Sequence, residues 1–258
     1  YPVLREAMDD PEIYEDDPIR LEVMKEFGYF VTESSGHFSE YVPYFRKRKD
    51  LIKTYCRENY RGGSGFYANS WPAWRKKTDK ARREMAAGKR DINLTPSHEY
   101  ASDIIAAHRF DRPTVIYASV PNTGLIPNLP QTGVVEVAVV MDQRGYTPTF
   151  FGPLPEQVAA LCRSNMAVFE LAVQGILAQD REAVIHAVML DPLSAAVCSP
   201  AELRAMAEEL FKAEKRYIPA WCQPPKRRRR RAGKRTRGRK TAGDGASQVS
   251  SMAARNVS

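Results

Sequence analysis

Three runs of strand-forming residues lie close together in the middle of this chain, and they limit what it can become. Residues 114–120 read TVIYASV and residues 134–141 read VVEVAVVM; the turn Asp142-Gln143-Arg144-Gly145 then leads into YTPTF. β-Branched and aromatic residues at this density predict strands. The turn predicts a hairpin, with Pro148 marking an edge. The nearly continuous apolar character of TVIYASV predicts a strand covered on both faces. The stretches after these runs read as helix. Residues 155–179 carry a long Ala/Leu/Val pattern, Asp180 caps a second helix to Leu190, and Ser199-Pro200 starts a third running to Lys215. The expected architecture is α+β, a mixed sheet with helices layered on it. No internal repeat is visible.

Upstream, Asp17-Pro18 starts a helix whose apolar face is Ile19, Val23 and Phe27, and Gly28 stops it as a left-handed cap. The next stretch, FGYFVTESSGHFSEYVPYF (27–45), concentrates chemistry-bearing side chains. Residues 28–32 read as a short strand or extended segment, and Ser34 or Ser35 can N-cap a helix. On that helix Phe38, Val42 and Phe45 form a stripe for the core, with His37, Tyr41 and Tyr44 on the neighbouring stripe and Glu40 beside them. Pro43 lacks an N–H and ends or kinks the helix there. A phenol, an imidazole and a carboxylate converge where helical regularity fails. The same spacing also suits plain aromatic packing.

The Gly-rich 59–69 stretch, NYRGGSGFYAN, matches no phosphate-binding loop, because no strand precedes it and no Lys-Ser/Thr follows; it reads as a mobile surface loop. Residues 71–88 predict a charged helix on which Trp71 and Trp74 pack rather than bind a ligand. Residues 97–109 predict an amphipathic helix with Tyr100, Ile104, Ile105 and His108 near one face.

The net charge of +8 on 258 residues is misleading when taken whole. Residues 226–240 carry 11 basic residues in 15, too many like charges to fold on themselves, while residues 1–225 are mildly acidic. Nucleic acid is therefore a partner only through the tail, by counterion release. A hydrophobic content of 43% and a charged content of 27% fit a globular protein, and no apolar run reaches the roughly 20 residues of a membrane span. Cys56, Cys162, Cys198 and Cys222 form no CxxC pair and have no close His, so free thiols in a reducing cytoplasm are expected.

Several of these motifs together resemble a known family. GYFVTESSGHFSEYVPYF, then SHEYAS (97–102), VPNTGLIPNLP (120–130), VEV (135–137) and HAVMLDP (186–192) are similar, in this order, to glycoside hydrolase family 4 in its α-galactosidase (melibiase) branch. The likeness runs over residues 15–222. It implies a lactate/malate-dehydrogenase-like C-terminal domain and a glycosidase of the NAD-dependent kind. In that chemistry the sugar is oxidised at C3 with a divalent metal, commonly Mn2+, polarising the ketone. A base removes the C2 proton, the glycosidic bond is eliminated, and water adds as the steps reverse. The resemblance makes Tyr41 the candidate base, with Tyr44 as runner-up. Glu33, Ser34 and His37 would line the sugar pocket, and Asn122 and Asn128 could hold sugar hydroxyls, their other role being turn formation.

The resemblance also has gaps. The Rossmann half with its Gly-rich turn is absent from this chain, as are the family's metal-holding Cys and His; none of the four cysteines matches that motif, and His37 alone makes no site. Ala118-Ser119 stands where the family commonly has Gly-Asn. The expected division is a lead-in over 1–16 from a missing upstream domain, a family 4 substrate domain over 17–225, and a disordered tail over 226–258. That tail reads as an extended or frame-shifted end before it reads as a selected binding element. A homo-oligomer without membrane attachment is expected, with the fragment alone inactive. The alternatives are a dehydrogenase relative without glycosidase action and an inactive fragment with a nucleic-acid-binding tail.

Overall fold

The computed structural model describes residues 1–56, 62–63, 65–95 and 98–223; the basic tail, Ser97 and much of the Gly-rich loop lie outside the described residues. Among the described residues seven α-helices precede the sheet: α1 (Pro2–Ala7), α2 (Pro11–Asp16), α3 (Pro18–Phe27), α4 (Ser35–Tyr41), α5 (Lys49–Tyr55), α6 (Phe66–Ala86) and α7 (Ala101–Phe110). The strands β1 (Thr114–Pro121), β2 (Val134–Asp142) and β3 (Gly145–Pro148) follow, then α8 (Glu156–Ala178), α9 (Arg181–Leu190), α10 (Pro192–Val197) and α11 (Pro200–Ala213). The fold is α+β, as the sequence implies.

The sheet corrects two expectations. Both strand pairs are antiparallel, in the order β1-β2-β3, so among the described residues the sheet is not mixed. The connections explain this: a parallel pair needs a crossover of a dozen or more residues, usually a helix, whereas β2 and β3 are joined by Gln143-Arg144 alone. Gly145 supplies the positive φ of 123° that this turn requires, and Asp142 accepts from the Arg144 N–H at 2.7 Å. Nor is β1 covered on both faces. Ile116 and Val120 point inward, while Val115 and Tyr117 on the other face are exposed.

Two apolar clusters hold the molecule. The first joins Ile116, Val120, Val135, Val137 and Val139 of the sheet to Leu125, Ile126 and Leu129 of the β1–β2 loop and to Ala159 of α8. The second joins Ile19 and Val23 of α3 to Val42 and Phe45, with Leu161 of α8 packed on it. Helix α8 therefore belongs to both, two residues apart. Its far half crosses α9 at Gly175, where a Cβ would meet Ala183 and Val184 at 3.0 Å.

The helix boundaries follow their capping signals. Gly28 closes α3 at φ 83°, with its N–H on the Met24 carbonyl at 2.9 Å. Asp180 accepts from the N–H groups of Glu182 and Ala183, and Ser199 forms a capping box with Glu202. Asp17 departs from expectation. It stands at the N-cap of α3 without capping it; its carboxylate takes Arg20 at 2.6 Å and the Ser35 hydroxyl, tying the start of α3 to the start of α4. Residues 28–32 form no strand. Among the described residues no strand lies beside them to pair with, and the segment is held instead by Arg20 stacked over Phe30 at 5.0 Å and by the Phe30 N–H on the Tyr1 hydroxyl.

Replacing Gly175 by Val is expected to lower stability by about 2 kcal/mol through overpacking, since the neighbours include the Val184 backbone. For a chain of this size that is a fall in Tm of about 4–8 °C. An unchanged thermal midpoint would mean that α8 and α9 do not meet closely at this point.

Candidate functional site

Pro43 shapes the site. A residue before proline is pushed out of the helical region, and Val42 has φ −129° and ψ 152°, so α4 stops at Tyr41. Val42 and Phe45 still reach the core, though along an irregular segment rather than a helical stripe. Tyr44 leaves the company of His37 for the same reason. It packs on Phe27 at 5.9 Å and against Phe45, beside a separate cavity of about 210 Å³ that Glu22, Glu26 and Tyr55 also line.

On the other side, α4 and the start of α6 enclose a cavity of about 190 Å³ lined by Gly36, His37, Glu40, Arg46, Phe66 and Tyr67, among others. The His37 ring stacks on Tyr67 at 5.4 Å and lies nearly parallel to Tyr41 at 6.4 Å. Its Nδ1 is 3.8 Å from Glu40. Tyr41 stands beside the cavity, 42% exposed, and burial together with Glu33 and Glu40 pushes its phenol above the ordinary tyrosine range.

Arg46 closes the cavity, although the basic run Arg46-Lys47-Arg48-Lys49 to which it belongs has the composition of a solvated turn. Its guanidinium is largely buried, donating to Ser39 Oγ at 2.8 Å and to the Gly62 carbonyl at 2.8 Å, with Glu40 at 3.7 Å. A buried guanidinium needs such partners. The one sequence signal for it is its place next to the apolar Phe45. Phe66 and Tyr67 were assigned to a loop; they open α6 because Gly65, at φ 69°, turns the chain into the helix five residues before Trp71.

The remaining expected residues are scattered. Glu33 accepts from the Ser34 N–H at 2.6 Å, and Ser34 Oγ is buried with no protein partner among the described residues. Asn122 is 0% exposed and wholly engaged: its amide donates to the carbonyls of Ile126, Leu129 and Pro130 at 3.0–3.1 Å and accepts from the Ile126 N–H at 2.9 Å. Asn128 clamps both the N–H and the carbonyl of Leu154. Neither asparagine lines the cavity, and turn formation is the role the geometry gives both.

The Family 4 glycosyl hydrolase C-terminal domain matches residues 1–194 of this chain. The chain belongs to glycosyl hydrolase family 4. It is similar to an α-galactosidase of Bacillus subtilis, 37% identical over 86% of this chain and 50% of that protein. It is also similar to an α-galactosidase of Rhizobium meliloti, 32% identical over 82% and 44%, and to an α-galacturonidase of Lachnoclostridium phytofermentans, 27% identical over 78% and 42%. The chain thus spans about half the length of these relatives. Its fold is similar to a 6-phospho-α-glucosidase from gut microorganisms solved with NAD and glucose-6-phosphate, at TM-score 0.59, 18% identity and coverage of 82% of this chain and 46% of that one. A second structure described as the same activity, with NAD and Mn2+, gives TM-score 0.59 at 16% identity over 82% and 46%.

The residues described do not fit either group. Among them no three His, Cys, Asp or Glu side chains gather where a metal could bind, and His37 with Glu40 make a pair only. The antiparallel sheet offers no parallel strand turning into a helix, the place where a dinucleotide pyrophosphate sits. Among the described residues no helix is long and apolar enough to cross a membrane.

Asn122→Ala is expected to cost roughly 3 kcal/mol, because three carbonyls and one N–H lose their buried partner at once. Denaturant unfolding measures it. A loss below about 0.5 kcal/mol, that of an ordinary surface substitution, would return Asn122 to the list of sugar-binding candidates.

Proposed function

We infer that this chain is the sugar-holding half of a family 4 glycosidase acting on α-galactosides, with Tyr41 exchanging a proton with a sugar carbon. The observation that carries this reading is the cavity at α4 lined by His37, Glu40 and Arg46, with the Tyr41 phenol beside it, in a chain 37% identical to an α-galactosidase. Glu40 presents an acceptor for a hydroxyl toward this small space, and the Arg46 guanidinium, held by Ser39 and the Gly62 carbonyl, forms one wall of it. His37, fixed between ring neighbours and Glu40, can orient one more. Glu33 and Ser34 stand on the chain leading into α4. The buried Ser34 hydroxyl supports a polar contact still to be made there.

The oxidation at C3, elimination and water addition implied by the family resemblance would draw NAD and a divalent metal such as Mn2+ from outside the described residues. The chain alone is therefore expected to be inactive. Free thiols at Cys56, Cys162, Cys198 and Cys222 support a cytoplasmic setting, and the exposed apolar faces of β1 and α8 support a homo-oligomer. No observation favours a dehydrogenase without glycosidase action. The nucleic-acid reading rests on residues 226–258, outside the described ones.

The test is a chimaera carrying the upstream half of the Bacillus subtilis α-galactosidase before this chain, assayed on a nitrophenyl α-galactoside with NAD and Mn2+. Hydrolysis is expected, and Tyr41→Phe should reduce it about 10²–10⁴-fold, the usual loss for a general acid or base, with folding preserved. Turnover of the variant within about threefold of its parent, well short of that loss, would remove Tyr41 from the chemistry. A well-folded parent that binds NAD but cleaves no galactoside would overturn the substrate assignment.

A further inference from the structure

Helix α6 does not behave as its sequence suggests. None of its 21 residues is buried, and the two tryptophans expected to pack are open to solvent, Trp71 at 56% and Trp74 at 45%. Tyr67, at 45%, lies on the same face, because 67, 71 and 74 are spaced i, i+4 and i+7. The three rings make a ridge about 10 Å long. Exposed aromatic area of this size costs free energy in water and calls for something to lie on it.

The ridge begins at the candidate site. Tyr67 lines the cavity and stacks on His37, and its ring meets Trp74 at 6.3 Å and 80°. Phe66 braces Trp74 from another side at 5.5 Å and 75°. Rings held by their neighbours lose little freedom when a ligand settles on them. The cavity itself, at about 190 Å³, is small; sites for drug-sized ligands start near 300 Å³. A terminal sugar can enter it while anything attached to that sugar must lie outside, along α6.

We propose that Tyr67, Trp71 and Trp74 form a saccharide subsite that carries the leaving-group sugars of an oligosaccharide whose terminal residue occupies the cavity. This rests on the sugar-site reading of that cavity. A pyranose has an apolar face of C–H groups and a rim of hydroxyls. Laid on an aromatic ring, it buries the former and leaves the latter in water. The ridge is poorly suited to a second copy of itself. Arg75, Lys77 and Arg82 flank the stripe; Asp79 pairs with Arg75 at 3.8 Å and with Arg82 at 3.6 Å, which leaves the flank net basic, so two such helices laid together would bring like charges against one another. The same cations would favour an acidic saccharide over a neutral one, which the experiment resolves.

The test is calorimetric titration of the 258-residue chain with galactose, with raffinose and with a galacturonate trimer, repeated for Trp71→Ala, Trp74→Ala and His37→Ala. Since α6 buries no residue, both tryptophan variants should keep the parent circular dichroism and thermal midpoint. Expected is at least a fivefold loss of affinity for one or both trisaccharides in each tryptophan variant, with galactose affinity unchanged. Trisaccharide affinity that is absent, or equal in parent and tryptophan variants, overturns the subsite. Loss of galactose binding in His37→Ala alone supports the cavity reading. Trisaccharide binding that depends on Trp71 but not on His37 keeps the subsite and removes the cavity from it. Sedimentation of the same variants covers the remaining occupant: a dimer that falls apart without Trp71, at unchanged saccharide affinity, would assign the ridge to a second copy and sink the proposal.

Discussion

The site depends on one buried guanidinium. Arg46 binds the Ser39 hydroxyl of α4 and the Gly62 carbonyl just before α6, with Glu40 close by, and so ties the two elements together alongside the His37–Tyr67 ring contact. Ser39 is itself fully buried, and its hydroxyl also donates to the Gly36 carbonyl at 2.6 Å, so the arginine is anchored to a fixed point of α4. Removing one partner from such an arrangement leaves a desolvated charge behind, at a cost of several kcal/mol. The cavity between α4 and α6 is thus set by a polar contact, while the apolar clusters hold α4 from behind through Phe38, Val42 and Phe45.

The two asparagines of the β1–β2 loop are engaged by backbone groups away from the cavity. The loop carries Leu125, Ile126 and Leu129 into the sheet cluster, which takes its backbone out of water and leaves carbonyls needing donors. Asn122 serves three of them with one amide. A side chain so engaged cannot also hold a ligand without leaving those groups unpaired. Asn128 does the same for Leu154 and fixes the chain just before α8, the helix that touches both clusters.

The parts legible in the sequence were those set by local chemistry. Gly28, Asp180 and Ser199-Pro200 act within a turn of where they stand, and each ends or starts its helix where the residue type demands. Pro43 stopped α4 as expected. What it did next was not legible: with the helix ended at Tyr41, periodicity no longer says where Tyr44 points, and packing against Phe27 decides it. Residues 28–32 have the composition of a strand but no partner to pair with. Arg46 sits in a run of basic residues that composition assigns to water, yet its neighbours Ser39 and Gly62 are distant in sequence. The start of α6 was hidden because glycines read as loop, whereas Gly65 is the turn that launches the helix.

On the proposed reading, Tyr41 is where this chain's own chemistry meets groups held outside the described residues. Burial, Glu33 and Glu40 all push its phenol upward, so in this environment the group is a protonated donor at neutral pH. A phenol in that state can hold a sugar hydroxyl but cannot take a proton from carbon. Arg46, the cation beside the cavity, is turned to Ser39, Gly62 and Glu40 and offers Tyr41 little relief. On the proposed reading the positive charge that makes Tyr41 a base would come from the divalent metal, held outside the described residues. A proton acceptor that becomes competent only when the other half is in place would keep this half from acting on sugars by itself.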